Sequence, residues 1–310
     1  MDSGAATFKT TWWNLLRDHA RQHALVALGL GIALLAVLTL LFQSIVQLAA
    51  GEASPGLRLA LSGGAAAFAA TAVGALPALV VRRLPQRVED SMLGLAAGMM
   101  LAASAFSLLL PGIEAAEEIL GGKSFAAGVV VIGMTLGVLL MLGLDEFIPH
   151  EHEKTGPCGP GHERCSRIWL FVLAIALHNL PEGMAIGVSF SQADMAVGFP
   201  LTTAIALQDI PEGLAVAMVL RGAGHTPGFS VLTAVLSGAL EPVGALIGVG
   251  LSSGLALAYP IGLGLAAGAM IFVVSHEVIP ETHRNGHQTS ATLGLMAGFA
   301  VMMILDTALG

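Results

Sequence analysis

Two similar segments carry polar side chains inside apolar stretches that are long enough to cross a membrane. They read His178-Asn179-Leu180-Pro181-Glu182-Gly183 and Gln208-Asp209-Ile210-Pro211-Glu212-Gly213. A third apolar stretch contains Glu241, followed by Pro242, and none of the three stretches contains a lysine or arginine. A mixture of imidazole, carboxylate and amide oxygen suits divalent transition metals. The pattern therefore predicts that a metal ion supplies the missing positive charge.

The spacing within each segment places its polar side chains on one face of a helix. His178 and Asn179 precede Glu182 by four and three residues, and the second segment repeats this spacing. Residues three and four apart are neighbours on a helix surface. A charged residue at the centre of a membrane span costs about 2.5–3.5 kcal/mol on insertion scales. One such glutamate could be a protonated structural residue, but three without counter-charges favour an ion pathway.

The composition indicates an all-α integral membrane protein. Hydrophobic residues make up 55% of the 310 residues and charged residues 11%, whereas soluble domains carry about 25% charged residues. Nine apolar stretches are each long enough to span a bilayer as a helix. They cover residues 24–50, 57–81, 91–110, 125–147, 168–190, 199–220, 228–252, 259–280 and 290–308. The net charge of −8 excludes a nucleic-acid-binding surface as the main function.

Basic residues predict the orientation of these spans. If the N-terminus is cytoplasmic, 11 of the 13 basic residues fall in cytoplasmic segments, and only Arg58 and Lys123 fall outside. Cytoplasmic loops of membrane proteins are enriched in lysine and arginine. We therefore expect a multi-pass protein of the cell membrane with a cytoplasmic N-terminus and, after nine spans, an external C-terminus. The lipid bilayer is then an expected partner.

The chain also contains an internal repeat. A shift of thirty positions superimposes the two polar segments, and adjacent membrane helices run in opposite directions, so the likeness implies an inverted repeat. A weaker likeness links the Gly-Leu-Ala-Ala-Gly segments at 94–98 and 264–268.

The paired segments resemble the His-Asn-X-Pro-Glu-Gly motifs of the ZIP (Zrt/Irt-like) family of divalent-metal transporters. The resemblance covers residues 57–310 and implies eight helices in a 3+2+3 inverted-repeat bundle, preceded here by an extra N-terminal helix within 1–56. It also implies a binuclear metal site in the middle of the bundle. The ligands that it implies are His178, Asn179, Glu182, Gln208, Asp209, Glu212 and Glu241. Many members have histidine where this chain has Gln208, which leaves its metal preference open.

Further polar residues could line the route on either side of that site. The segment 148–167 resembles the His-rich cytoplasmic loop of ZIP proteins. Candidate metal ligands at the exit are Asp145, His150, His152, His276 and Glu277, and Ser107 is a candidate at the entrance. Cys158 and Cys165 lack the spacing of a structural zinc site.

These observations and the resemblance predict a transporter and not an enzyme. The expected cargo is Zn²⁺, with Cd²⁺, Fe²⁺ and Mn²⁺ as alternatives, carried into the cytoplasm of a bacterium across its inner membrane without an organic cofactor. The alternative is an intramembrane zinc-dependent hydrolase, which would need three ligands and an open water position. Glu277 follows His276, but the second histidine of a His-Glu-X-X-His motif is missing. The oligomeric state stays open, with a homodimer as one prediction.

Overall fold

Helices make up most of the computed structural model, which describes residues 12–148, 150–152, 156–158, 167–252 and 255–309. In chain order the α-helices are α1 (Trp12–Gln22), α2 (Ala24–Ala49), α3 (Pro55–Ala75), α4 (Gln86–Ala102), α5 (Leu110–Leu120), α6 (Lys123–Phe147), α7 (Arg167–Phe190), α8 (Met195–Gly222), α9 (Pro227–Gly238), α10 (Leu240–Leu251), α11 (Ala258–Val273), α12 (Ile279–His283) and α13 (Gln288–Leu309). A 3₁₀ turn, Leu76–Leu79, extends α3, and π-helical turns at Ala103–Leu109 and Val274–Val278 join α4 to α5 and α11 to α12.

Nine helical segments within these described ranges are long and apolar enough to cross a membrane. They correspond one to one with the nine predicted stretches, which confirms the all-α membrane architecture. The third segment differs most, because it runs without interruption from Gln86 to Leu120 and not from 91 to 110. Its last turns carry Glu114, Glu117 and Glu118 among apolar residues, so a search for purely apolar stretches stops before the helix does.

The segment between α6 and α7, predicted as a connecting loop, contains a short hairpin. His150–His152 pairs antiparallel with Gly156–Cys158, and His150 lies opposite Cys158. The side chains of His150 and His152, and residue Cys165, lie outside what the structure describes. The predicted role of this segment in metal binding therefore stays a prediction.

The two Gly-Leu-Ala-Ala-Gly segments lie at close helix crossings. A Cβ atom on either glycine of 94–98 would collide with the backbone of α13, and one on either glycine of 264–268 would collide with the backbone of α6. Each segment lies within two turns or so of a π-helical turn, at Ala103–Leu109 and at Val274–Val278. The weak sequence likeness therefore corresponds to the same packing role in α4 and α11.

The N-terminal helices lie against the side of the bundle. The apolar part of α2 faces outward along most of its length. It contacts α10 where Ser44 Oγ donates a hydrogen bond to the Leu246 carbonyl at 3.2 Å, and it contacts α6 where Leu30 packs beside Gly143. The C-terminal end of α2 borders a cavity of about 660 Å³, whose polar lining includes Gln43, Gln47 and Glu118.

Candidate metal centre

Three helical segments bring the predicted ligands together. His178, Asn179 and Glu182 lie on α7, while Gln208, Asp209 and Glu212 lie on α8. Glu241 is in the first turn of α10, directly after the break between α9 and α10 at Ala239. Both α7 and α8 continue through their prolines, Pro181 and Pro211. Since proline has no N–H, each helix has one backbone carbonyl without its usual intrahelical donor beside the site.

Glycines allow these helices to approach closely at the level of the ligands. A Cβ atom on Gly183 of α7 would collide with the backbone of Glu241 on α10, and one on Gly213 of α8 would collide with the backbone of Thr71 on α3. The terminal glycines of the two repeated segments therefore have equivalent roles. They hold α7 against α10 and α8 against α3, which fixes the distance between the ligands that flank them.

All seven predicted ligands are buried. Their exposed fractions run from 0% for Glu182, Gln208 and Glu241 to 5% for His178. Carboxylate oxygens of Glu182, Asp209 and Glu212 all lie within 4.8 Å of one another. Glu241 is close enough to interact electrostatically with each of these three. Four acidic side chains thus share one buried volume.

Many of the buried oxygens of this cluster have no hydrogen-bond partner within the described part of the chain. They are Asn179 Oδ1, Glu182 Oε2, Gln208 Oε1, Asp209 Oδ2, both carboxylate oxygens of Glu212, and Glu241 Oε2. Buried polar atoms are nearly always hydrogen-bonded, and a buried atom without a partner calls for an explanation such as an ion. Seven oxygens in one cluster fit a divalent cation, because oxygen ligands on a cation need no donor.

Two hydrogen bonds orient members of the cluster. Gln208 Nε2 donates to Glu182 Oε1, which leaves the amide oxygen of Gln208 free to face a cation. Thr71 Oγ1 donates to Glu241 Oε1 at 2.8 Å, and Thr71 is 3% exposed. Sequence reasoning missed Thr71, since one threonine in an alanine-rich helix has no periodic signal. Its partner Glu241 is 170 positions away.

Three of the predicted exit residues, Asp145, His276 and Glu277, lie beside this cluster. A cavity of about 30 Å³ is bordered by His178, Asp145 and Glu277, which is enough room for a water molecule. Ligand atoms of Asp145, His276 and Glu277 lie within 4.8 Å of one another, and His276 Nε2 is 3.7 Å from Asp145 Oδ2. The structure thus brings these three predicted residues together beside the central ligands.

The predicted entrance residue, Ser107, is also buried. It lies in the π-helical turn between α4 and α5, and its hydroxyl donates a hydrogen bond to Asp306 Oδ1 of α13 at 2.6 Å. Asp306 was not predicted, because a lone aspartate near the end of the last apolar stretch could equally mark the membrane boundary. The pair connects the turn to the final helix.

Comparisons with known proteins identify the family of this chain. The family model described as ZIP Zinc transporter matches residues 149–306. The chain is 62% identical to Zinc transporter ZIPB of Bordetella bronchiseptica, over 99% of this chain and 98% of that protein. It is 41% identical to Zinc transporter GufA of Myxococcus xanthus, over 78% of this chain and 95% of that protein. It is 31% identical to human Zinc transporter ZIP11, over 77% of this chain and 94% of that protein. The chain belongs to the ZIP family of metal transporters.

Proposed function

We propose that this protein carries Zn²⁺ into the cytoplasm through a binuclear site in the middle of its helix bundle. Membership of the ZIP family makes it a multi-pass membrane protein that transports divalent metal ions. The observation that carries the finer proposal is the cluster of seven buried oxygens that have no hydrogen-bond partner among the described residues, contributed by six side chains of three membrane-spanning segments. A soluble or purely structural protein would have no reason to keep such a cluster.

Two ions would share the central carboxylates. His178, Glu182, Gln208, Glu212 and Glu241 would hold one ion, and Asn179 and Asp209 would hold the second together with the shared glutamates. Support comes from the mutual approach of Glu182, Asp209 and Glu212 within 4.8 Å. Carboxylates can bind through one or both oxygens, and the free oxygens of Glu212 are suited to bridging two cations.

Gln208 would tune the affinity of the first ion. Its amide oxygen is a neutral ligand with no partner in the described cluster, and its amide nitrogen already binds Glu182. An amide oxygen binds Zn²⁺ less strongly than an imidazole does, since nitrogen ligands suit this metal better. The ion would therefore be released more readily from this site than from one with histidine at position 208.

The route from the central site to the cytoplasm would run past Asp145, His276 and Glu277. The cavity beside His178 borders Asp145 and Glu277, and the distribution of basic residues favours a cytoplasmic location for this end of the bundle. His150 and His152 would accept the ion beyond them. On the other side, Ser107 would stand at the entrance, where its hydrogen bond to Asp306 connects α13 to the π-helical turn.

An inverted repeat would explain the helix pairing. Exchanging the first three bundle helices with the last three, and α7 with α8, would turn the α4–α13 crossing into the α11–α6 crossing, and the α3–α8 crossing into the α10–α7 crossing. The glycine contacts at all four crossings support this relation. By the same exchange Thr71 would take the place of Glu241, so the two halves would differ by one carboxylate.

A zinc-dependent hydrolase is not favoured by the same observations. Catalytic zinc sites keep three protein ligands and an open position for water. Here seven side chains surround the volume, and four of them are acidic. The crowded ligand set favours binding and release of ions over chemistry on a substrate. A homodimer in the inner membrane stays a prediction.

Zinc uptake into proteoliposomes tests the proposal. We expect labelled Zn²⁺ to enter vesicles that contain the wild-type protein, and we expect Glu212→Ala to reduce the initial rate to that of empty vesicles. Glu114→Gln, which changes an exposed carboxylate on α5, is the matched control and should keep the wild-type rate. Normal uptake by a folded, correctly inserted Glu212→Ala protein would refute the central site as the transport route.

A further inference from the structure

A second group of metal-binding side chains lies where the N-terminal helices meet the bundle. His19 is near the end of α1, His23 lies between α1 and α2, and Glu146 is in the last turn of α6. Both His19 Nε2 and His23 Nε2 lie 3.3 Å from the same oxygen, Glu146 Oε1. The three ligand atoms lie within 4.8 Å of one another. The group joins parts of the chain that are 127 positions apart.

The distances in this group fit a tetrahedral zinc site. Zinc binds imidazole nitrogen and carboxylate oxygen at about 2.0–2.2 Å, so two ligands of a tetrahedron are about 3.3 Å apart. Both nitrogen–oxygen separations equal that edge. The two imidazole rings, four residues apart in the sequence, lie on the same side with their centroids 4.6 Å apart. Two histidines and one carboxylate leave a fourth position for water.

The exposure of these side chains also suits a site that exchanges its ion. The side chains of His19, His23 and Glu146 are 19%, 40% and 43% exposed, so the ion could enter from solvent. Nearby Asp18 forms ion pairs with Arg17 and Arg21 at 3.9 and 3.8 Å. One carboxylate and two guanidinium groups leave a net charge of about +1 beside the site, so the ion must be held by its three ligands and not by the charge of these neighbours.

A simpler arrangement without metal would be hydrogen bonds from the histidines to the carboxylate. Charge-assisted N–H···O bonds are about 2.7–2.9 Å long, whereas both separations here are 3.3 Å. In addition, His19 Nε2 lies 3.0 Å from the Glu146 backbone carbonyl, a contact that a metal ion bound at this nitrogen would replace. If metal binds, adding it should break the contact between His19 Nε2 and the Glu146 carbonyl; if the histidines only form hydrogen bonds, adding metal should leave this contact unchanged.

We propose that His19, His23 and Glu146 form a second site for a divalent transition metal such as Zn²⁺, which fastens α1 and the start of α2 to α6. Glu146 follows Asp145, whose carboxylate faces His276 at the proposed exit. The site therefore lies where transported ions would be released, a point that rests on the proposed direction of transport. The attachment of α1 and the start of α2 to α6 would then depend on the metal concentration on the side of the membrane where ions are released.

Equilibrium zinc binding to the purified full-length protein tests this site. We expect His19→Ala/His23→Ala and Glu146→Gln each to bind one zinc ion fewer per chain than wild type. His225→Ala is the matched control, since this histidine packs against Trp169 and Phe229 and belongs to no metal-ligating group among the described residues. Equal zinc stoichiometry in wild type and both site variants would overturn the proposal.

Hydrogen exchange provides a second measurement that does not depend on counting ions. Zinc should slow amide exchange across residues 14–23 in wild type and in His225→Ala, but not in His19→Ala/His23→Ala. Because these variants lie outside the transport machinery, zinc flux in vesicles should stay at the wild-type rate and report correct folding. Metal-independent exchange of 14–23 in wild type would refute the site, and this result would leave the central transport site unaffected.

Discussion

The hydrogen bond between Thr71 and Glu241 provides the sharpest test of how the central carboxylates are held. Thr71→Val keeps the shape of the side chain and removes the hydroxyl. Glu241 Oε2 has no hydrogen-bond partner among the residues that the structure describes, and loss of the 2.8 Å bond to Oε1 would leave the second oxygen without its donor. The charged carboxylate would then be costlier to keep in the empty site and less well oriented for an ion.

The expected size of the effect follows from that one bond. A hydrogen bond to a charged group contributes about 1.5–3 kcal/mol, and each 1.4 kcal/mol corresponds to a factor of about ten. We therefore expect Thr71→Val to weaken apparent zinc affinity by roughly 10- to 150-fold. Thr71→Ser keeps the hydroxyl and is the matched control, with an expected change of less than about threefold.

The assay is the concentration dependence of zinc uptake into proteoliposomes, together with calorimetric zinc binding in detergent. Thr71→Val should raise the zinc concentration for half-maximal uptake, while uptake at saturating zinc stays close to that of wild type and shows that the protein is folded and inserted. Equal apparent affinity of Thr71→Val and wild type would refute the orienting role. Equal loss in Thr71→Ser and Thr71→Val would also refute it, since the hydroxyl could then not be the cause.

Three further predictions concern the same route. Asp209→Ala should keep measurable transport with an altered apparent affinity, because Asp209 is expected to contact one ion only; a loss as complete as that of Glu212→Ala in the same uptake assay would contradict this ranking. Deletion of residues 151–165 should leave zinc uptake partly intact, because a tethered acceptor assists the route without forming it, and complete loss in a correctly inserted protein would argue against this role. Zinc binding should release protons and weaken between about pH 7 and pH 5, because metal ligands bind in their deprotonated forms; calorimetry in buffers of different ionisation enthalpy counts these protons, and a count of zero would disprove the linkage.

The repeated segments made the central cluster of buried polar side chains predictable from sequence. Their spacing places His178 and Glu182 on one helix face. An apolar stretch of this length is expected to form a membrane-spanning helix, because only helices and closed barrels can cross a bilayer. The absence of basic residues from these stretches pointed to a cation. These signals are local in the sequence, so they can be detected without any knowledge of how the helices pack.

The partners of that site depend on packing and were not predictable in the same way. Thr71 meets Glu241 only because glycines bring α3, α8 and α10 together. Ser107 was selected from sequence, but its partner Asp306 is 199 positions away. The group of His19, His23 and Glu146 likewise requires α1 to lie against the end of α6. In each case one polar residue has no repeat or periodicity that would distinguish it from an ordinary surface residue.

The length of α2 indicates where the hydrocarbon of the bilayer would end relative to the cavity at the C-terminal end of this helix. The part of α2 from 24 to 42 contains no charged residue and only one polar side chain, Thr39; it has roughly 19 residues and at 1.5 Å per residue is about 28 Å long. The hydrocarbon core is about 30 Å thick, so this part alone fills it without tilt. The remaining turns, with Gln43 and Gln47, then stand among the lipid head groups beside Glu118. The helix thus forms one wall of this cavity, so Glu118 borders a polar-lined space at that face of the bundle.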